Sequence, residues 1–481
     1  MTGDTDIEAG DTGVGSGHDD QAGQAGRAGQ VAQADQTGRT DQAGQIGQAT
    51  QVAQSGPGPL APLSVSATLG RLQFHKSDKF RILQLSDIQD GSSVSADTIR
   101  LIEAACDASR PDLVVFSGNQ VAGYDSEFSQ TATKRPWSSP WDLGLSETDR
   151  QAATDATRAL VKKNIQTTTA PLVSRGIPFA VTYGNHDFQC GLDESVLDAL
   201  YREVPGCCNP PSISADPAQA QNLPSSGLKG QVAYACEPGT FCLPVHDEDG
   251  AVVFLIVLLH SGTYALEGGC GSLSVDAREF LKDQPQKLDA QGIIFQNIPL
   301  PQYYRLLKPV PPTRAHAVEG YRTFSKTYYE IDPEKTVPGS YLGEGISCPD
   351  KDTGEFAIAR DQGYFAISAG HDHRNGFAGS LEGVMLMATP TCGFGSYGPA
   401  PTKRAARLLE FDLRHPYEPR TQLLEFGDLV GKASSKKSYS FGANYVPQAG
   451  EEEYDLVRPL SRWERFIRAA KAFFRRQNKQ N

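Results

Sequence analysis

Two histidines one residue apart, His371 and His373, follow an apolar run in Tyr364–Phe377, which reads Tyr-Phe-Ala-Ile-Ser-Ala-Gly-His-Asp-His-Arg-Asn-Gly-Phe. Imidazole is a common ligand for divalent metals, and in open α/β sheets ligands collect at the carboxyl ends of strands. Alone, a His-x-His reads more readily as two surface or satisfied core histidines. Three upstream segments share its construction, an apolar run stopping at small polar residues. Phe80–Gln89 delivers Asp87 and Gln89, Asp112–Gln120 delivers Asn119, and Phe179–Asp187 delivers Gly184-Asn185-His186-Asp187.

The order of these segments resembles the calcineurin-like metallophosphoesterase family, most closely its phosphatase-like branch related to purple acid phosphatases. That family's pattern is Asp-x-His, Gly-Asp, Gly-Asn-His-Asp/Glu, a later His, then Gly-His-x-His, and the likeness runs from about Leu69 to about Gly427. The resemblance implies two divalent metals, Mn, Fe or Zn, that share a bridging Asp and a hydroxide attacking phosphorus in line. Carried over, Asp87, Asn185, His371 and His373 are metal ligands. His186 meets the phosphate or protonates the leaving oxygen, oriented by Asp187.

Three positions depart from the pattern. Gln89 stands for the His of Asp-x-His, Asn119 for the metal-bridging Asp, and Asn297, before Ile298-Pro299, for a ligand His. The expected shell then keeps one carboxylate, and neutral amides bring no charge to two dications. Ala122 stands where a purple acid phosphatase has its tyrosine. His260, ending the apolar run Val252–Leu259, offers an imidazole as a substitute ligand; the alternative is a histidine hydrogen-bonded in a strand-end turn.

Positioning these residues needs buried strands joined by helices. Val252–His260 is an unbroken apolar run of the kind a strand buried on both faces shows. Gly292–Asn297, Gly363–Ala369, Gly383–Ala388 and Arg407–Asp412 add strands. Ala67–Phe74 and Phe80–Ser86, about the polar Lys76–Lys79, suggest a hairpin. Ser95–Arg110 and Glu147–Ser174 read as helices, the second stopped by Gly176-Ile177-Pro178. An ordered loop is expected over Asp125–Leu143, and a Cys- and Pro-rich insertion overhanging the site over 188–250. Alternating elements followed by strands predict an α/β fold of metallophosphoesterase type, two packed sheets flanked by helices in four layers, over residues 63–430.

The flanks differ in kind. Residues 1–62 are Gly, Ala, Gln, Asp and Thr with few large apolar groups, the composition of a disordered tail. A polar linker is expected over 431–460. Residues 461–481 place Trp463, Phe466, Ile467, Ala470 and Phe474 at helical spacing among seven basic residues, a basic amphipathic helix suited to peripheral contact with an anionic membrane or to docking on an acidic face. The net charge of −12 argues against a general nucleic-acid binder. No signal-peptide pattern opens the chain, which predicts a cytoplasmic protein, with the inner membrane face as its site of peripheral contact. Nine cysteines without Cys-x-x-Cys spacing indicate reduced thiols.

Two functions follow from the resemblance. The first, slightly favoured by the surviving ligand types, is metal-dependent hydrolysis of a phosphomonoester or phosphodiester at a weakened dinuclear-type site holding one or two divalent ions, a single ion being held by Asp87, Gln89 and His373. The second is a pseudophosphatase that keeps the fold and binds a phosphorylated small molecule, a phosphoprotein or another protein partner without turnover.

Overall fold

The computed structural model describes residues 61–138, 146–213, 216 and 219–434. Nearly all of the expected tail and of the linker, the basic C-terminal segment and the end of the 125–143 loop lie outside the described residues.

Two sheets form the centre. The first has the strand order His415–Glu425, Ala405–Asp412, Lys79–Leu85, Leu113–Ser117, Phe179–Thr182. Lys79–Leu85 runs antiparallel to Ala405–Asp412 and parallel to Leu113–Ser117, which is parallel to Phe179–Thr182. The second is eight-stranded, in the order Phe377–Leu381, Val384–Ala388, Tyr364–Ala369, Gly292–Gln296, Val252–Leu259, Thr240–His246, Val232–Glu237, Ala220–Asn222. Its central strands Tyr364–Ala369, Gly292–Gln296 and Val252–Leu259 are parallel to one another. A small third sheet, Leu307–Val310, Val318–Glu319 and Tyr328–Ile331, packs on the core of the second through Leu307 and Tyr329.

Between the two large sheets lies an aromatic layer. Phe254 stacks on Phe411 at 4.6 Å and meets Phe74, Phe80 and Phe365 edge to face. Each such ring, fully withdrawn from water, contributes about 1.5–3 kcal/mol. The outer faces are covered by helices. Ala96–Ser109 starts after Ser95 and buries Leu101, Ile102, Ala105 and Cys106. Glu147–Arg175 starts where the Ser146 hydroxyl accepts from the amide of Asp149, and ends at Gly176 in the left-handed region. Val275–Leu288, capped by Ser274, crosses from Val252–Leu259 to Gly292–Gln296 and covers the second sheet with Glu355–Asp361. The four-layer α/β/β/α sandwich is thus the architecture observed.

Two local expectations are corrected. Val65–Leu69 is a short helix rather than the first strand of a hairpin, because Ser64 caps it and Gly70 ends it in the left-handed region. Only the turn about Lys76–Lys79 remains, closed by two backbone bonds: His75 N–H donates to Lys79 O at 2.8 Å and Asp78 N–H donates to His75 O at 2.9 Å. Most of the stretch 188–250 is built into the body of the fold rather than overhanging the site. Glu194–Arg202 is an amphipathic helix whose Leu197, Leu200 and Tyr201 join the core of the first sheet, and Val232–Glu237 and Thr240–His246 are strands of the second. Pro and Ser frequency hid a helix held by tertiary burial. All nine cysteines are buried free thiols.

Candidate functional site

Six parallel strands, three from each large sheet, point their carboxyl ends at one region. Asp87 and Gln89 follow Lys79–Leu85, Asn119 follows Leu113–Ser117, and Asn185 and His186 follow Phe179–Thr182. Asn297 follows Gly292–Gln296, and His371 and His373 follow Tyr364–Ala369. The loops meet so closely that a Cβ on Gly184 would strike the side-chain oxygens of Asn119 and Asn297, and one on Gly370 would strike Ser86 and Asp87. Asp87, Gln89, Asn119 and His371 all have φ between 42° and 69°. Left-handed backbone at non-glycine residues costs of order 1–3 kcal/mol each and persists only where surroundings enforce it.

Asp87 is fully buried, and its carboxylate is saturated by neutral donors. Oδ2 accepts from the Ser86 hydroxyl and from the His371 amide at 2.7 Å. Oδ1 accepts from Asn119 Nδ2 at 3.0 Å and Asn297 Nδ2 at 3.2 Å, with His373 Nε2 3.8 Å away. Burial pushes the Asp87 carboxyl above its usual range, against the pull of these donors. Asn119 Nδ2 also donates to Asn185 Oδ1 at 3.1 Å and Asn297 Oδ1 at 3.2 Å. Asp87, Asn119, Asn185 and Asn297 therefore form one closed amide and carboxylate network.

The imidazoles stand beside it. His373 Nδ1 donates to Tyr397 O at 2.7 Å, and its ring stacks on Tyr397 at 4.1 Å. His371 Nε2 lies 3.4 Å from the Cys270 thiol. Desolvation holds both imidazoles neutral, His371 pushed down to about 4 and His373 to about 3. Gln89 Oε1 accepts from the Tyr124 hydroxyl at 3.2 Å.

Asp187 is held by backbone donors. Its buried carboxylate accepts the backbone N–H groups of Asn119 at 2.7 Å, Gly184 at 2.8 Å and Val121 at 3.0 Å, tying two strand-end loops together. Burial raises its pKa to about 7 despite those donors. His186 Nδ1 pairs with Gln189 Oε1 at 2.7 Å, and its ring meets Tyr124 at 5.0 Å. His260 is placed with its backbone N–H on Thr240 Oγ1 at 3.0 Å and its ring against Tyr183 at 6.3 Å. Its Nε2 is buried without a hydrogen-bond partner among the described residues.

Residues beyond the sequence motifs complete the mouth. The Tyr264 hydroxyl accepts from Asn185 Nδ2 at 2.8 Å and Gln189 Nε2 at 3.3 Å, while the Arg135 guanidinium lies 3.7 Å from the Tyr264 ring centre. Arg374 stands over Tyr397 at 5.3 Å. Tyr264 lies in a strand-end loop, a signal that could have nominated it; Arg135, Tyr397 and Cys270 carry no such signal.

These residues do not fit a dinuclear metal centre. Both Asp87 oxygens and the side-chain oxygens of Asn185 and Asn297 are engaged by protein donors, and His371 Nε2 faces a thiol. Among the described residues no three His, Cys, Asp or Glu side chains are grouped to hold one ion. No helix among them is long and apolar enough to cross a membrane.

The profile of calcineurin-like phosphoesterases matches residues 80–375. The chain is similar to two Arabidopsis thaliana proteins. It is 22% identical over 382 residues to "Probable inactive purple acid phosphatase 14", covering 71% of this chain and 78% of that protein. It is 22% identical over 392 residues to "Probable inactive purple acid phosphatase 29", covering 74% and 82%. A solved dimetal phosphatase from Danio rerio aligns at 13% identity and a TM-score of 0.35, over 72% of this chain and 99% of that one.

Proposed function

We propose that this chain, which belongs to the calcineurin-like phosphoesterase family, holds a phosphorylated ligand and does not hydrolyse it. The observation carrying this reading is that the groups needed to hold two cations already satisfy one another, with Asp87 as the single carboxylate among them. Without a cation there is no activated hydroxide at this site and no Lewis acid for the phosphoryl oxygens. The names of the Arabidopsis relatives, which carry the word inactive, agree with it.

Ligand recognition is left to the mouth. Arg135 supplies a planar guanidinium suited to phosphate oxygens, and the Tyr264 hydroxyl and His186 lie beside it through Gln189. The ligand is a phosphorylated small molecule or a phosphorylated side chain of a protein. Metal content of the purified full chain, hydrolysis of p-nitrophenyl phosphate with added Mn, Zn or Fe, and calorimetric binding of phenyl phosphate test the reading together. The expected result is no bound metal, no turnover above buffer, and phenyl phosphate binding weakened about tenfold or more by Arg135→Ala, the loss of one charge-assisted contact. Saturable metal-dependent hydrolysis would restore the enzyme, and absence of phenyl phosphate binding would remove the ligand from the proposal.

A further inference from the structure

We infer that the side-chain amide of Asn119 is a built-in replacement for the cations, locking the site in a metal-free form that one substitution reverses. Its Nδ2 lies 3.0 Å from Asp87 Oδ1, 3.1 Å from Asn185 Oδ1 and 3.2 Å from Asn297 Oδ1. An amide nitrogen carries two hydrogens, so three acceptors crowding it is an arrangement a small cation would also gather. These oxygens belong to three different strand ends, and all three residues are buried.

The orientation of the amides follows from their other partners. Asn119 Oδ1 accepts from the His186 backbone N–H at 2.8 Å, which leaves its nitrogen facing the oxygens. Asn297 Nδ2 is committed to Asp87 Oδ1 and to Ser117 O, and Asn185 Nδ2 to the Tyr264 hydroxyl, so both of their oxygens turn toward Asn119. The positive φ of Asp87 and Asn119 shows that the loops are held away from relaxed backbone. Within this network the donor that reaches all three oxygens is Asn119 Nδ2. Buried acceptors that lose their donor must find another or a positive charge.

Asn119→Asp changes that donor into a carboxylate oxygen with almost no change of shape. A second carboxylate would then face Asp87 at hydrogen-bond distance, beside two amide oxygens, and the cluster would require a cation. The inference rests on the non-hydrolytic reading only in taking the native site as metal-free. Phenyl phosphate binding by the native chain tests that reading separately.

The experiment is thermal unfolding of the full chain and of Asn119→Asp, each in chelator and in millimolar Mn²⁺ or Zn²⁺. The native chain should melt at the same temperature in all conditions. Asn119→Asp should melt several degrees lower in chelator and recover on adding metal, since a ligand that binds only the folded state raises its stability by mass action. A native melting temperature that rises with metal by as much as the variant's would overturn the inference, as would a variant indifferent to metal. If Asn119→Asp yields no soluble protein in chelator, expression with added Mn²⁺ decides. Metal-dependent recovery supports the inference. If neither condition yields protein, calorimetric titration of the native chain with Mn²⁺ decides, and stoichiometric binding that Asp87→Asn abolishes would overturn it, while its absence supports it.

Discussion

The two sides of the site are built from different materials. On one, Asp87, Asn119, Asn185 and Asn297 hold each other through side-chain hydrogen bonds of 3.0–3.2 Å drawn from four strand ends. On the other, His371 and His373 are placed by their own loop, by the Tyr397 ring and carbonyl, and by the Cys270 thiol. The amide side exchanges neutral donors and acceptors, and each member removed leaves a partner unsatisfied. The imidazole side depends chiefly on packing and on staying uncharged. The amide side is therefore a polar core whose members satisfy one another, and the imidazoles beside it are buried rings held neutral by desolvation. The first side should be sensitive to lost partners and the second to pH.

The largest effect is expected at Asp187, which underlies the amide side. Asp187→Ala would orphan the backbone N–H groups of Asn119, Gly184 and Val121. Each buried donor left unpaired costs about 1–3 kcal/mol, so urea unfolding should show a loss of roughly 3–5 kcal/mol. A loss near 1 kcal/mol would mean that the loops hold their positive φ without it and that the two sides are less different than their contacts suggest.

How far the sequence revealed this contrast depended on the kind of contact. Buried parallel strands such as Val252–Leu259 announce themselves as apolar runs, and a strand ending in Gly-Asn-His-Asp or Gly-His-Asp-His announces its loop. Asp87, Asn119, Asn185, Asn297, His371 and His373 could thus be gathered before any coordinates. What Asp187 does could not be read, because its partners are backbone N–H groups that every residue type offers. Tyr264 lies 79 residues from Asn185 and Cys270 lies 101 from His371, contacts between loops with no shared period. The helix Val65–Leu69 was missed because one turn is too short to show a period, and its cap residue Ser64 lies in a Ser-rich stretch.

The imidazole side is best separated by pH. His373 titrates at about 3 in the folded chain against an ordinary 6.5, because its ring is desolvated. Between those values the unfolded chain binds more protons, so stability is lost as pH falls from 6.5 toward 3. Asp187 runs the other way, its folded pKa of about 7 lying above 3.8, so stability falls as pH rises through that window. Only the difference between native chain and variant isolates the imidazole. His373→Asn keeps a donor toward Tyr397 O and cannot titrate. The stability advantage of the native chain over it should shrink by up to about 1.4 kcal/mol per pH unit below 6.5 in urea titrations. Parallel profiles would show that His373 is solvated or paired in the folded chain.

The smallest effect is expected at Cys270. Its thiol donates to Ser347 O at 3.1 Å and lies 3.4 Å from His371 Nε2. Burial pushes the thiol well above its ordinary pKa, and the single hydrogen of this neutral S–H, a weak donor, serves Ser347 O, so the sulfur itself faces the ring. Cys270→Ala removes that donor and little volume, while the backbone N–H of His371 stays on Asp87 and fixes its loop. Urea unfolding should change by about 1 kcal/mol or less, the range of a weak hydrogen bond with a small packing loss. A loss above about 2 kcal/mol, comparable with an orphaned amide partner, would place His371 within a side-chain network as binding as that of Asn119. The division of the site into a self-satisfied amide side and a packed imidazole side would then fail at its second half.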